Sequence, residues 1–167
     1  MARTPSNMIP LGTKAPHFEL VDTKDNILKS LNSLKGEKAT VIMFVCNHCP
    51  FVIHVNPEIS KLAKDYVDQG VNCIAISSND IENYPQDRPE LMQQVAARED
   101  YIFPYLFDKD QKIAKSYDAA CTPDFYLFNS DLELVYRGQL DSSRPENKKP
   151  LNGKDLRNAI DATLKNQ

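Results

Sequence analysis

The sequence predicts one α/β domain, a central sheet flanked by helices. Two apolar runs of strand length, residues 41–45 and 71–76, bracket a segment with helical periodicity, the pattern of a parallel β-α-β unit. Further on, residues 124–129 and 132–137 alternate around Ser130-Asp131 as a hairpin, and Leu156, Ile160 and Leu164 form one stripe of a closing helix. Units of this kind in this order fold as a single layered α/β structure, and 167 residues suffice for one domain covering the whole chain.

The elements follow in order. Residues 1–14 read as an irregular arm. Phe18-Glu19-Leu20-Val21 and Ile27-Leu28 flank the turn-like residues 22–26 as an early hairpin, and Ser33-Leu34-Lys35-Gly36 is one helical turn stopped by glycine. Residues 41–45 are too few for a helix and too apolar for a surface, hence a central strand. Asn56 has the chemistry of a cap with Pro57 at the first helical position, and Ile59, Leu62, Ala63, Tyr66 and Val67 share a face. Pro50 and Pro57 together predict a helix that begins at the cysteines and kinks or breaks near Asn56. Residues 71–76 form a second buried strand, followed by a polar, proline-bearing loop over 77–88. A helix from Pro89 to about Asp100, a short strand at Tyr105-Leu106-Phe107, a short helix over 109–117, the hairpin, a polar loop over 138–152 and the last helix complete the chain.

Composition narrows the function classes. The net charge of −3 argues against nucleic acid or an anionic membrane as main partner. No apolar run approaches the ~18 residues of a membrane span, and residues 1–12 lack the basic start and apolar stretch of a secretory signal. The expected setting is cytoplasmic, where four cysteines are free thiols, catalytic groups or metal ligands.

The chemistry concentrates at Cys46-Asn47-His48-Cys49, directly after the first apolar strand. A strand that delivers Cys-x-x-Cys to a helix N-terminus favours a thiolate, the species that attacks disulfides. The spacing makes Cys46 the acidified nucleophile and Cys49, one turn further in, the resolving thiol with the higher pKa. His48, supported by Asn47, tunes the couple towards the reduced form. The alternative is half of a zinc site. His48 and His54 are the nearby imidazoles, Cys73 sits mid-strand as a small core residue, and there is no second Cys-x-x-Cys, so no metal is expected. Cys121-Thr122-Pro123-Asp124-Phe125 reads locally as a turn before a strand.

Taken together, Ala15-Pro16-His17-Phe18-Glu19-Leu20, Leu34-Lys35-Gly36, residues 41–50, residues 103–117, Thr122-Pro123-Asp124-Phe125-Tyr126-Leu127-Phe128 and Tyr136-Arg137-Gly138 resemble the thioredoxin-like superfamily. Within it they are similar to the redoxin branch related to alkyl hydroperoxide reductase and thiol-specific antioxidant proteins. The resemblance implies a thioredoxin fold with a central mixed sheet, an N-terminal extension and an insertion between core strand and helix. It also implies a cis Thr122–Pro123 bond lying against Cys46 and Cys49, with Thr122 and Pro123 as the substrate platform. Cys121 would then sit beside the site, as a packing residue or a third thiol. The peroxide-binding pattern Pro-x-x-x-Thr-x-x-Cys is not met, because Met43 stands at the threonine position when Cys46 is taken as the cysteine. The group that takes the proton from Cys49 is not identified, since Thr40 lies near where a buried acid would be sought.

The expected activity is thiol–disulfide exchange through Cys46 and Cys49 with a disulfide-containing protein or a small thiol, without a cofactor, served by an electron donor the sequence does not name. The alternatives are a thiol peroxidase with Cys46 as peroxidatic cysteine, and a non-catalytic metal- or protein-binding module.

Overall fold

A computed structural model describes residues 5–166. In chain order the elements are β1 (Glu19–Asp22), β2 (Ile27–Ser30), α1 (Leu31–Leu34), β3 (Ala39–Phe44), α2 (Pro50–Tyr66), β4 (Val71–Ser77), α3 (Pro89–Arg98), β5 (Tyr105–Phe107), α4 (Lys112–Ser116), β6 (Asp124–Asn129), β7 (Leu134–Gly138) and α5 (Lys154–Lys165). The seven strands form one mixed sheet in the order β2-β1-β5-β4-β3-β6-β7. β4 runs parallel to β3 and β5, whereas β6 is antiparallel to β3 and β7. The N-terminal hairpin extends the sheet through β1 on β5. The stretch between β4 and β6 contributes α3, β5 and α4.

All six residues of β3 are buried, and the alternation of a strand sends them to two cores. Val41 and Met43 pack with Val52, Ile59 and Leu62 of α2, Met92 of α3, and Leu156 and Ile160 of α5. Ile42 and Phe44 face the other way, against Phe18, Leu31, Tyr117, Tyr126 and Phe128. Each large side chain so buried contributes about 1.5–3 kcal/mol. Gly36 lies where the chain enters β3, and a Cβ there would collide with the Ala39 carbonyl and lie 2.7 Å from the Gly70 carbonyl.

The arm expected over residues 1–14 is irregular where it is described, and residues 1–4 lie outside the described residues. Its end is tied to the hairpin of β6 and β7 by Gly12 N–H to Leu134 O and Ala15 N–H to Leu132 O. Two expectations for α2 need correction. The helix runs through from Pro50 to Tyr66 with Pro57 inside it, so Asn56 is not a cap. Asn56 is buried instead, accepting the Tyr101 hydroxyl at 2.7 Å. The apolar stripe Val52, Val55, Ile59, Leu62 continues across Pro57, and burying it outweighs the hydrogen bond that proline cannot donate. Val67 lies beyond the helix and is exposed.

The register sets the site. Phe44 pairs with Asp124 and Ile76, and Phe125 pairs with Gly138. Residues 45–49, the loop after β4, residues 121–123 and the loop after β7 therefore gather at one end of the sheet.

Candidate active site

Cys46 and Cys49 lie there at the wall of a cavity of about 670 Å³. Its other walls come from Thr122 and Pro123 before β6, from Phe51 and His54 on α2, and from residues 138–141 and 143–145 at and beyond the end of β7. The Thr122–Pro123 peptide bond is cis. The Thr122 hydroxyl is 3.7 Å from Cys46 Sγ, and Cys49 Sγ lies 3.6 Å from the Thr122 carbonyl oxygen.

The proton distribution differs from the sequence expectation of an acidic Cys46. Because α2 begins at Pro50, Cys49 is its N-cap. The hydrogen bond from Cys46 pulls Cys49 down to about 5, against burial, with help from the Val52 amide, Thr122 and the Phe51 amide. Cys46 is pushed up by its hydrogen bond to Cys49, by burial and by the Asp87 carboxylate, with the Thr122 hydroxyl opposing. The pair thus holds one proton between two sulfurs, with the resting charge on Cys49.

Asp87, in the loop after β4, is the residue that sequence reasoning missed. It is fully buried, and its carboxylate accepts four hydrogen bonds. Oδ1 takes the Asn47 and His48 amides at 2.7 and 3.2 Å, and Oδ2 takes His48 Nδ1 at 2.6 Å and Asn79 Nδ2 at 2.8 Å. His48 also stacks on Tyr84, with ring centroids 4.7 Å apart. Asn47 has a scaffolding part: its side chain donates to the Gln86 carbonyl and accepts the Tyr105 hydroxyl, pinning the loop to the Cys46 turn. No local pattern marks Asp87, since it sits some forty residues from Cys46 in a loop of ordinary polarity.

Among the described residues, the Cys46 sulfur, a His48 ring nitrogen and an Asp87 oxygen lie within 4.8 Å of one another. That group makes a poor metal centre, because a carboxylate offers about four lone-pair sites and Asp87 has four donors on it already. His54, weighed as a zinc ligand, is turned to Ser143 Oγ at 2.7 Å, and Cys73 is buried mid-strand, which raises its thiol to about 12. Cys121 lines the cavity half-exposed, with its sulfur 3.7 Å from Ser6 Oγ. Burial and then Asp124 raise its pKa, which keeps it a thiol.

The platform is anchored from behind. Asp124, next after Pro123, accepts Arg137 Nη2 at 2.8 Å and the Ser6 hydroxyl at 2.9 Å. The same Nη2 reaches the Asp118 carbonyl at 2.8 Å, and the guanidinium lies 4.4 Å above the Tyr126 ring. Arg137 is thereby committed to the core, and Met43, at the threonine position of the peroxide pattern, is a core residue too.

Comparison with known proteins places this geometry. The chain is 30% identical over 125 residues to the thiol-disulfide oxidoreductase ResA of Halalkalibacterium halodurans, covering 74% of this chain and 65% of that protein. It therefore spans just under two thirds of that relative's length. An uncharacterised conserved protein from Geobacillus kaustophilus, solved as a crystal structure, is 54% identical over 100% of this chain and 88% of its own, with a TM-score of 0.97. The thioredoxin domain of a thiol-disulfide oxidoreductase from Bacteroides vulgatus superposes with a TM-score of 0.68 at 17% identity, over 91% of this chain and 99% of its own, which shows the thioredoxin-like fold. The model of the AhpC/TSA family matches residues 11–137, and the chain belongs to that family.

Proposed function

We propose that the protein is a thiol–disulfide oxidoreductase in which Cys46 attacks a substrate disulfide and Cys49 resolves the mixed disulfide. The observation that carries this reading is the Cys46–Cys49 pair at the wall of one cavity, with both sulfurs against Thr122 beside Pro123. The shared proton passes to Cys49 as Cys46 bonds to the substrate, so attack requires no proton to leave the pair. Cys49, with its proton given up, then attacks Cys46 and releases the reduced product. Asn47 holds the turn and His48 stands beside Cys46, while Thr122 and Pro123 form the surface on which the disulfide lies. The cavity accepts a small disulfide or the exposed disulfide of a protein, and a dithiol donor resets the couple. A cytoplasmic setting belongs to the same proposal.

The test is trapping. A Cys49→Ser variant should accumulate a mixed disulfide on Cys46, and a Cys46→Ser variant should form none. Trapping on Cys49 in the Cys46→Ser variant, with none in the other, would reverse the roles. No adduct on either variant would remove the reading.

A further inference from the structure

The Asp87–His48 pair has a geometry that scaffolding alone does not require. A carboxylate can only accept, so the 2.6 Å contact with Asp87 Oδ2 fixes a proton on His48 Nδ1. The Asp87 oxygens are themselves immobilised by Asn79 and by two backbone amides of the Cys46 turn. Tyr84 stacked on the imidazole holds its plane. Nε2 is left as the nitrogen free to exchange a proton, on a ring that lines the cavity beside Cys46. The charged or titratable groups facing the imidazole are Asp87 and Tyr84 from the loop after β4, and Cys46 and Cys49 from its own turn. His54, Asp141 and Arg144 line farther walls, and Cys121 the platform side.

We propose that Asp87 and His48 form a proton-transfer dyad for exchange at Cys46, with Asp87 as the positioning residue and His48 Nε2–H as the donor to the departing sulfur. This rests on the exchange reading above. As Cys46 Sγ bonds to one sulfur of R–S–S–R′, the S–S bond breaks with its electron pair on the other sulfur. With Nδ1 kept protonated against Asp87, the imidazole takes a second proton from solvent at Nε2 and gives it to that sulfur, releasing R′–SH. The neutral ring then takes the proton from Cys49. Cys49 attacks Cys46 Sγ, and the sulfur of R leaves and receives that proton from Nε2 as R–SH. Two thiols leave and one Cys46–Cys49 disulfide remains. The proton originally shared by the pair and the one brought by the imidazole are both accounted for.

Proton donation matters when the leaving thiolate is basic and hardly at all when it is stable unprotonated. Reduced wild-type protein, Asp87→Asn and His48→Gln would each be mixed, at one pH and in single turnover, with two probes. The probes are bis(2-hydroxyethyl) disulfide, which releases a basic alkyl thiolate, and 5,5′-dithiobis(2-nitrobenzoate), which releases a stable aromatic one. Both variants should lose about tenfold to a hundredfold against the alkyl disulfide, and several-fold less against the aromatic one. Equal loss on both probes, or no loss on either, would overturn the dyad, because a merely structural role moves both rates together. Asp87 also holds two backbone amides, so if its variant is poorly folded the partly exposed His48 carries the test through His48→Gln. A wild-type protein inert to both probes would instead remove the exchange reading itself.

Discussion

Proton sharing between Cys46 and Cys49 makes a quantitative prediction for the couple under a change of pH. A dithiol with ordinary values near 9.0 takes up two protons with two electrons throughout neutral pH, so its potential falls by about 59 mV per pH unit. Here the pair releases its first proton near 5. Above that pH the reduced form binds one proton, and the slope should halve to about 30 mV per unit. The accumulated difference at pH 7 is about 60 mV towards a more oxidising couple, and solvent reaching the open side of the cavity reduces it to about 30–60 mV. The stability of the reduced protein follows the same proton count. The depressed value contributes stability that is full above the ordinary thiol pKa and is lost as pH falls towards 5, because the unfolded chain then binds both protons and the folded one only one. Above about 9 the raised Cys46 value works the other way, since the unfolded chain can ionise both thiols and the folded one cannot. The assay is the fraction of Cys46–Cys49 disulfide at equilibrium with a thiol–disulfide buffer, between pH 4 and 8. A slope that stays near 59 mV per unit up to pH 8 would refute the shared proton.

Arg137→Ala should destabilise the protein by about 3–5 kcal/mol in urea unfolding, because it strands a fully buried Asp124 carboxylate. The paired replacement Asp124→Leu with Arg137→Met should recover most of that loss, and no recovery would mean the pair is not what the site depends on. Gly36→Ala should cost several kcal/mol by the same measurement, since its Cβ would meet backbone carbonyls that cannot turn away, and a loss under 1 kcal/mol contradicts that packing. Hydrogen peroxide should oxidise the reduced protein no faster than a free thiol, because Met43 and Arg137 are committed to the core. Rapid stoichiometric oxidation at Cys46 would restore the peroxidase alternative.

What the sequence disclosed and what it hid follow from the range of the interactions. β3, β4 and the β6–β7 hairpin are legible because burial on two faces leaves long unbroken or alternating apolar runs. The cysteine pair is legible because its spacing is local. The course of α2 is legible only in part: its start at the cysteines is marked, but Asn56-Pro57 carries a local break signal, whereas the stripe from Val52 onward has a core to fill on both sides of it. Because the first helical residue is Pro50, the free helix amides reach Cys49 and not Cys46, and the acidities are the reverse of those expected. Asp87 was illegible for the opposite reason. Its role exists only once β4 pairs with β3 and the loop beyond folds back over residues 46–48, so a lone acid in a polar loop carries no mark of it. His54, weighed by sequence distance in the zinc alternative that was set aside, faces the loop after β7 and Ser143.

The central claim is that Cys46 and Cys49 are one redox couple and that Cys121, on the same cavity, stands outside it. Mapping the disulfide by peptide mass after stoichiometric oxidation of the reduced protein tests it most directly. The expected product is a Cys46–Cys49 bond that forms under mild oxidant, reopens with a dithiol and leaves Cys121 alkylatable. A protein that keeps four free thiols, or that links Cys121 to either partner, would contradict it.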